Sequence, residues 1–510
     1  MKNIVKSIQK GIYLIIRSLV ILLALLLPFV AMLTTEGLDW LFSTWSDLSM
    51  DEIVYQLKTP MQGTNPDMII DFISTCIPPA IIVLLLSGLI IGMSKNSRIF
   101  KWIVPMLTII VSVNIGVTSV QAAWNELDVD QYIEDTTTSS YFIEDNYANP
   151  NEVQIQFPEQ KRNLIYIFLE SMEATYSSKE YGGAFDDNYI PELTALAYQN
   201  TSFSYTDSFG GIFSPTGSTW TMGAMVAQTS GLPLRLNLRA GNITEDIDIL
   251  PRATTLGDIL EQQGYRQVIM FGSDGTFAGR DQYFQEHGNY EVMDYQYAVD
   301  HNWIPEDYRV WWGYEDSKLF EFAKQQVTEL AAGSQPFNLT LLTVDTHFED
   351  GYTCSLCQNT YGNQYADVMA CSSHQVAEFV NWVQQQPFYE NTTIVLVGDH
   401  LTMDTDFCEN IDADYQRSVY NVFINSAVSA TNSKTRCATT LDMFPTTLAS
   451  LGVTIEGEKL GLGTNLFSDV STLAEKTSLE EMDEEFRKKS IFYEVLAGNQ
   501  DVNTEVFDMH

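Results

Sequence analysis

Five side chains capable of acid-base or metal chemistry follow directly on apolar runs. Glu170 closes "NLIYIFLE", Asp274 stands in "QVIMFGSD", His347 in "FNLTLLTVDTH", and Asp399 and His400 close "TIVLVGDH". A lone acid after a strand is ordinarily the N-cap of the next helix. Two of only six histidines, placed with three acids at equivalent positions, ask for more than caps. Carboxylate and imidazole together suit zinc, manganese or another borderline divalent ion, so Asp399 and His400 read as metal ligands. A second feature is the hydroxyl- and glycine-rich run "FSPTGSTWTMGAMVAQTSGLP", Phe213 to Pro233, which leads into a short apolar helix stopping at Gly231. A hydroxyl at a helix N-terminus beside a divalent ion has what phosphate chemistry needs: a cation to lower its pKa, and free backbone N–H groups for an anion.

The elements that must bring these residues together are legible as an alternation. Strand-like runs occur at Asn163–Leu169, Gln267–Gly272, Phe337–Val344, Thr393–Val397 and Val419–Ile424. Helical patterns intervene at Thr254–Gln263, Asp316–Ala332, Ala366–Gln385 and Leu441–Leu451. This predicts an α/β domain, a mostly parallel sheet with helices on both faces. In such sheets ligands bind at the carboxyl ends of the strands, where the five residues stand.

Upstream the composition changes. Gly11–Leu33, Met68–Met93 and Phe100–Val120 are each long and apolar enough to cross a bilayer. Lys2, Lys6, Lys10 and Arg17 flank the first, and Lys95, Arg98 and Lys101 lie between the second and third. The loop between the first and second is acidic, with Glu36, Asp39, Asp47, Asp51 and Glu52. The positive-inside bias then places the N-terminus in the cytoplasm and everything after Val120 outside. We expect a membrane anchor of three transmembrane helices at 1–120, a polar linker at 121–161, a catalytic domain at 162–468 and a helical tail at 469–510, amphipathic around "SLEEMDEEFRKKS". The formal net charge of -39 excludes nucleic-acid binding through counterion release and reads mostly as a solvated acidic surface. Five cysteines, Cys354, Cys357, Cys371, Cys408 and Cys437, fall in the outer region, where disulfides are expected and one thiol is left over.

The order "NLIYIFLESME", "GSTWTMGAMVAQTSGLP", "FAGRD", "LTVDTHF", "VLVGDH", "TTLDMFPTTLASLG" and "GLGTNLF" resembles the sulfatase-like branch of the alkaline phosphatase superfamily. Within it the sequence is most similar to membrane-anchored phosphoglycerol transferases, the enzymes that decorate periplasmic glucans, and to the related lipoteichoic acid synthases. The resemblance runs from about Asn163 to Phe467. It implies metal ligands at Glu170, Asp399 and His400, with the nucleophilic hydroxyl as the remaining ligand. Sulfatases place the nucleophile ten positions before the glycine that closes its helix, which implies Thr221, with Thr219 and Ser218 as alternatives. His347 matches a substrate-side histidine, a general acid or phosphate ligand, and Asp274 and Arg280 match positions that contact glycerophosphate in the synthases. Ala278 departs from them, since they carry a tryptophan there, and this leans toward the glucan-modifying branch.

True sulfatases need a Cys or Ser matured to formylglycine and followed by Pro-Ser-Arg, whereas Met-Gly-Ala follows Thr221. The resemblance therefore implies a phospho-threonine intermediate rather than sulfate ester hydrolysis. It implies a divalent cofactor, manganese first with zinc or magnesium as alternatives. Phosphatidylglycerol would be the donor and an envelope glycan the acceptor. The rivals are a phosphoethanolamine transferase acting on lipid A or another envelope glycan, and a catalytically silent envelope scaffold.

Overall fold

The computed structural model describes residues 1–45, 48–59, 66–235 and 249–498, and the chain divides into two compact units. The first, Met1–Met50 with Asn65–Gln131, contains three long apolar helices, Lys2–Thr44, Pro66–Ser94 and Phe100–Glu126. All three are long and apolar enough to cross a membrane, as their sequences predict. They pack on one another through small residues and polar pairs: Gly116 comes up against Ala31, and the Thr35 and Ser119 hydroxyls meet at 2.7 Å.

The second unit, Asp51–Thr64 with Tyr132–His510, is built on a six-stranded sheet. Its strands in chain order are β1 (Asn163–Leu169), β2 (Arg266–Phe271), β3 (Glu291–Met293), β4 (Phe337–Leu342), β5 (Thr392–Gly398) and β6 (Asn421–Ile424). The spatial order is β3-β2-β4-β1-β5-β6. The first five are parallel and β6 is antiparallel to β5. β1, β4 and β5 are buried almost throughout, so they read as continuous apolar runs rather than alternating ones. The expected strands and helices are present, with boundaries shifted by a few residues. The three-residue edge strand β3 was not foreseen, because it is too short to show a period.

One segment differs in detail from its sequence reading. The stretch expected to be a plain linker, 121–161, continues the third long helix to Glu126 and then forms helices Val129–Thr137 and Phe142–Asn146. Tyr132, Asp135 and Ile143 in those helices are buried. In the tail, helix Leu479–Arg487 buries Met482 and Phe486 and leaves its charged face outward; the last residues of the tail, 499–510, lie outside the described residues. The six cysteines are free thiols, and Cys354 Sγ lies 3.6 Å from Cys357 Sγ and 3.7 Å from Cys371 Sγ.

Candidate active site

Strand register decides which side chains meet. Leu169 pairs with Gly398 across β1 and β5, and Phe168 with Leu342 across β1 and β4. Glu170, Asp399 and Thr343 therefore leave the sheet at one level. The ladder runs one step past the strands, with Asp399 N–H donating to Leu169 O at 3.1 Å and Thr343 N–H to Phe168 O at 3.1 Å. Ser171 takes up a left-handed φ of 52°, and its N–H donates to Asp399 Oδ1 at 2.7 Å. Its hydroxyl donates to Glu170 Oε1 at 2.9 Å. These contacts hold both carboxylates with their remaining oxygens turned to a common space.

The nucleophile candidate arrives from the helix Thr221–Ser230. Trp220 is extended, at φ -136° and ψ 161°, and Thr221 is the first helical residue. The first N–H groups of that helix have no intrahelical acceptor, which makes its start an anion-binding position. Gly231 ends it at φ 66°, and a Cβ there would stand 3.0 Å from the Leu460 carbonyl, so the stop signal is tied to a close chain crossing.

Thr221 Oγ1 lies 3.3 Å from Glu170 Oε2 and 3.3 Å from His400 Nε2. His400 Nε2 is 3.5 Å from Glu170 Oε1 and 3.4 Å from Asp399 Oδ2. Donors at about 2.0–2.1 Å around a tetrahedral ion are spaced by ~3.4 Å, so the four residues fit a divalent metal. His400 Nδ1 donates to Leu401 O at 2.7 Å, which leaves Nε2 to face the cluster as a lone pair. Asp399 Oδ2 is buried and accepts no hydrogen bond.

Electrostatics point the same way. Burial and the neighbouring Glu170 charge push Asp399 up to about 8. Burial likewise opposes ionisation of Glu170, but His347 and His400 hold it below its ordinary value. For His400 burial favours the neutral ring, and Asp399 and Glu170 outweigh it and raise its pKa. Two carboxylates and an imidazole in a dry pocket are an arrangement that a divalent cation relieves.

The other expected residues surround this cluster. His347 Nδ1 donates to Phe348 O at 2.7 Å, and its ring packs on Trp312 at 4.8 Å. Burial lowers its pKa, with Glu170 pulling the other way. Its loop is braced by Asp316, which accepts from the N–H groups of Val344 at 2.8 Å and Asp345 at 3.1 Å. Arg280 is buried over the faces of Phe271 and Phe277 and donates to the Asp274 carbonyl at 2.9 Å. Burial brings it down to about 10, and Glu170 is the strongest of the acidic charges that oppose this. The Asp274 carboxylate caps its own turn, accepting from Thr276 N–H at 3.0 Å and Thr276 Oγ1 at 2.8 Å. Of the alternative hydroxyls, Ser218 donates to Pro215 O at 2.7 Å and accepts from Thr440 at 3.1 Å, away from the cluster.

Sequence reasoning missed several supports. Gln228, one helix turn before Gly231, donates to the Gly398 carbonyl at 3.1 Å and so ties the nucleophile helix to β5. Glu173 forms a buried pair with Arg417 and accepts from Thr402 N–H at 2.9 Å, fixing the loop after His400. Glu52 and Tyr55, on helix Met50–Lys58 between the first two apolar helices, are also buried in this unit. Burial drives Glu52 to about 7 while His400 pulls it the other way. The acidic loop gave no signal for this beyond the i, i+3 spacing of Glu52 and Tyr55.

Comparison with known proteins gives the family. The family model described as Sulfatase matches residues 162–453, more than half of the chain. Phosphoglycerol transferase I of Escherichia coli (strain 55989 / EAEC) is 33% identical over 267 residues, which are 51% of this chain and 33% of that protein. Phosphoglycerol transferase I of Citrobacter koseri matches to the same extent, 33% identical over 267 residues. The chain thus spans about a third of the length of these relatives. Among solved structures, the lipoteichoic acid synthase LtaP of Listeria monocytogenes superposes with a TM-score of 0.51 at 15% identity, covering 70% of this chain and 98% of that one. That likeness concerns the fold.

Proposed function

We propose, from the premise that this chain belongs to the sulfatase family, that it is a membrane-anchored transferase moving phosphoglycerol from phosphatidylglycerol to an envelope glycan. The observation that carries the reading is the Thr221 hydroxyl, at a helix N-terminus and 3.3 Å from both Glu170 and His400. The names of the relatives supply the transferred group.

A divalent ion, manganese first, held by Glu170, Asp399, His400 and Thr221 would lower the pKa of the hydroxyl and stabilise phosphoryl charge. The chain's own residues do the rest. Thr221 Oγ1 attacks phosphorus, the bond to the diacylglycerol oxygen breaks, and a glycerophosphoryl-threonine remains. Thr221 gives up a proton and diacylglycerol takes one, so the step balances. In this reading His347 delivers that proton: its Nδ1 is fixed on Phe348 O, and an arriving phosphate raises the pKa that burial has lowered. Arg280, with Asp274 holding its turn, binds the phosphate side of the donor. In the second step a sugar hydroxyl of the glycan attacks the same phosphorus and Thr221 leaves. The three apolar helices keep the enzyme with its lipid donor, and the flanking Lys and Arg residues put the catalytic unit outside the cytoplasm.

The test is the intact mass of the full-length protein after incubation with phosphatidylglycerol and Mn²⁺, beside a Thr221→Ala control and a phosphatidylethanolamine sample. A glycerophosphoryl adduct absent from the control supports the reading. An adduct from phosphatidylethanolamine alone transfers it to phosphoethanolamine, and adducts from neither lipid overturn it.

A further inference from the structure

The segment joining the first two apolar helices folds with the catalytic unit. Asp51–Thr64 belong to the second unit, and helix Met50–Lys58 buries one face in it. Asp51, Glu52, Val54 and Tyr55 are at most 5% exposed, whereas Leu57 on the opposite face is 77% exposed. Asp51 Oδ1 lies 3.3 Å from Arg235 Nη2, and Arg235 also donates to the Phe486 and Lys488 carbonyls. The helix is therefore held at one end by a largely buried ion pair anchored to the tail.

Its inner face points at the machinery described above. Tyr55 Oη donates to the Ala278 carbonyl at 2.5 Å, and its ring packs at 5.8 Å on Trp220, the residue before Thr221. Glu52 is close enough to His400 for their charges to interact. Trp220 Nε1, and Trp312 Nε1 beside His347, are buried donors without a hydrogen-bond partner. Aromatic faces, a carboxyl acceptor and two unused indole donors around a phosphoryl site suit the small alcohol half of a phosphodiester: hydroxyls meet the acceptor and carbon faces meet the rings.

The geometry points to helix Met50–Lys58 as a wall of the donor pocket, with Tyr55 and Glu52 determining which lipid headgroup is accepted. This rests on the reading above that the donor is a phospholipid. A glycerol and an ethanolammonium headgroup both offer hydrogen-bond donors to such a wall, so the test compares them. Specificity would then depend on a segment covalently continuous with two membrane helices, outside the residues that the family model matches.

The experiment uses full-length protein in mixed micelles, comparing native chain with Tyr55→Ala, Tyr55→Phe and Glu52→Gln. Diacylglycerol release is followed against phosphatidylglycerol and phosphatidylethanolamine concentration, with bis(p-nitrophenyl) phosphate as a donor lacking a headgroup. Tyr55→Ala is expected to raise KM for the lipid about tenfold, with kcat changed less than about twofold, the value of one lost pocket contact. Tyr55→Phe, which keeps the ring, is expected to restore most of this, and Glu52→Gln to alter the ratio between the two lipids. Turnover of bis(p-nitrophenyl) phosphate should stay near native. Unchanged lipid KM and lipid ratio in all three variants overturn the inference and leave the transferase reading intact. So does a parallel loss on every substrate with a lowered melting temperature, the mark of a merely structural helix. If native protein uses neither lipid, the donor reading fails on its own. The wall is then judged by glycerol 1-phosphate binding, followed by tryptophan fluorescence: an affinity unchanged by Tyr55→Ala and Glu52→Gln overturns it, and a tenfold weakening by either supports it.

Discussion

Thr221 Oγ1 stands 3.3 Å from His400 Nε2, and His400 is held in that orientation by its own bond to the Leu401 carbonyl. The hydroxyl is thus positioned by a helix and the imidazole by a strand end, with neither depending on a bound substrate. Removing the hydroxyl should cost far more than moving it. Thr221→Ala is expected to lower turnover by at least ~10³-fold and abolish the covalent adduct, while Thr221→Ser keeps both. Ser218→Ala should leave the adduct in place, and intact mass after donor incubation reads all three.

Metal dependence gives a second expectation. Chelation of the purified protein should abolish adduct formation, and Mn²⁺, Zn²⁺ and Mg²⁺ added back separately should rank by restored rate. Asp399→Ala should leave less than about a tenth of the bound metal by elemental analysis, since it deletes one of four donors and a buried charge.

The pair Glu173–Arg417 locks the loop that follows His400. Glu173 is fully buried, Arg417 Nη2 approaches it to 2.5 Å, and Tyr176 donates to the same carboxylate. Breaking such a pair leaves an uncompensated buried charge, at a cost of ~3 kcal/mol. Arg417→Ala should therefore lower the midpoint of chemical denaturation, and Arg417→Ala with Glu173→Gln should recover part of it.

A pH effect on stability is expected from His287, far from the metal donors in sequence. Its Nδ1 lies 3.1 Å from Asp258 Oδ2 and its Nε2 2.8 Å from the Ile249 carbonyl, so both nitrogens have acceptors. Burial favours the neutral ring, but these acceptors outweigh it and raise the pKa above the ordinary histidine value. The stabilisation is full below the unfolded-state pKa and is lost as pH rises through the higher folded-state value. Thermal melts of His287→Gln should fall furthest below native under mildly acidic conditions and converge with it in alkaline buffer.

The thiols supply a further expectation. Cys354 lies within 3.7 Å of both Cys357 and Cys371, and it can bond to only one of them. Mild oxidation should produce one disulfide within this trio, whose three sulfurs all lie within 4.8 Å of one another, and Cys354→Ser should leave only the Cys357–Cys371 pairing. Peptide mapping under non-reducing conditions distinguishes the three pairings.

Much of this site was legible in the sequence because its parts are local. A β-branched run ending in Asp-His, or a hydroxyl preceding an apolar helix that stops at glycine, declares both the element and its terminal residue. The parallel sheet followed from alternation, and register then placed Glu170 beside Asp399 without further information. What stayed hidden depends on contacts distant in sequence. Tyr55 meets Ala278 across more than two hundred residues, and nothing in "DEIVYQLK" separates a buried helix from an acidic loop. Gln228 and Glu173 were silent for the same reason: a polar residue that braces a backbone has no period.

The central position of β1, between β4 and β5, has a consequence for what fixes the reactive constellation. Glu170, His347, Asp399 and His400 all issue from these three adjoining strands. The outlying strands β3 and β6 carry none of them. The register that brings Glu170 beside Asp399 is therefore set by the β1–β5 pairing and not by either outlying strand. A one-residue slip of β1 would reverse the facing of its whole row and dismantle the constellation at a stroke.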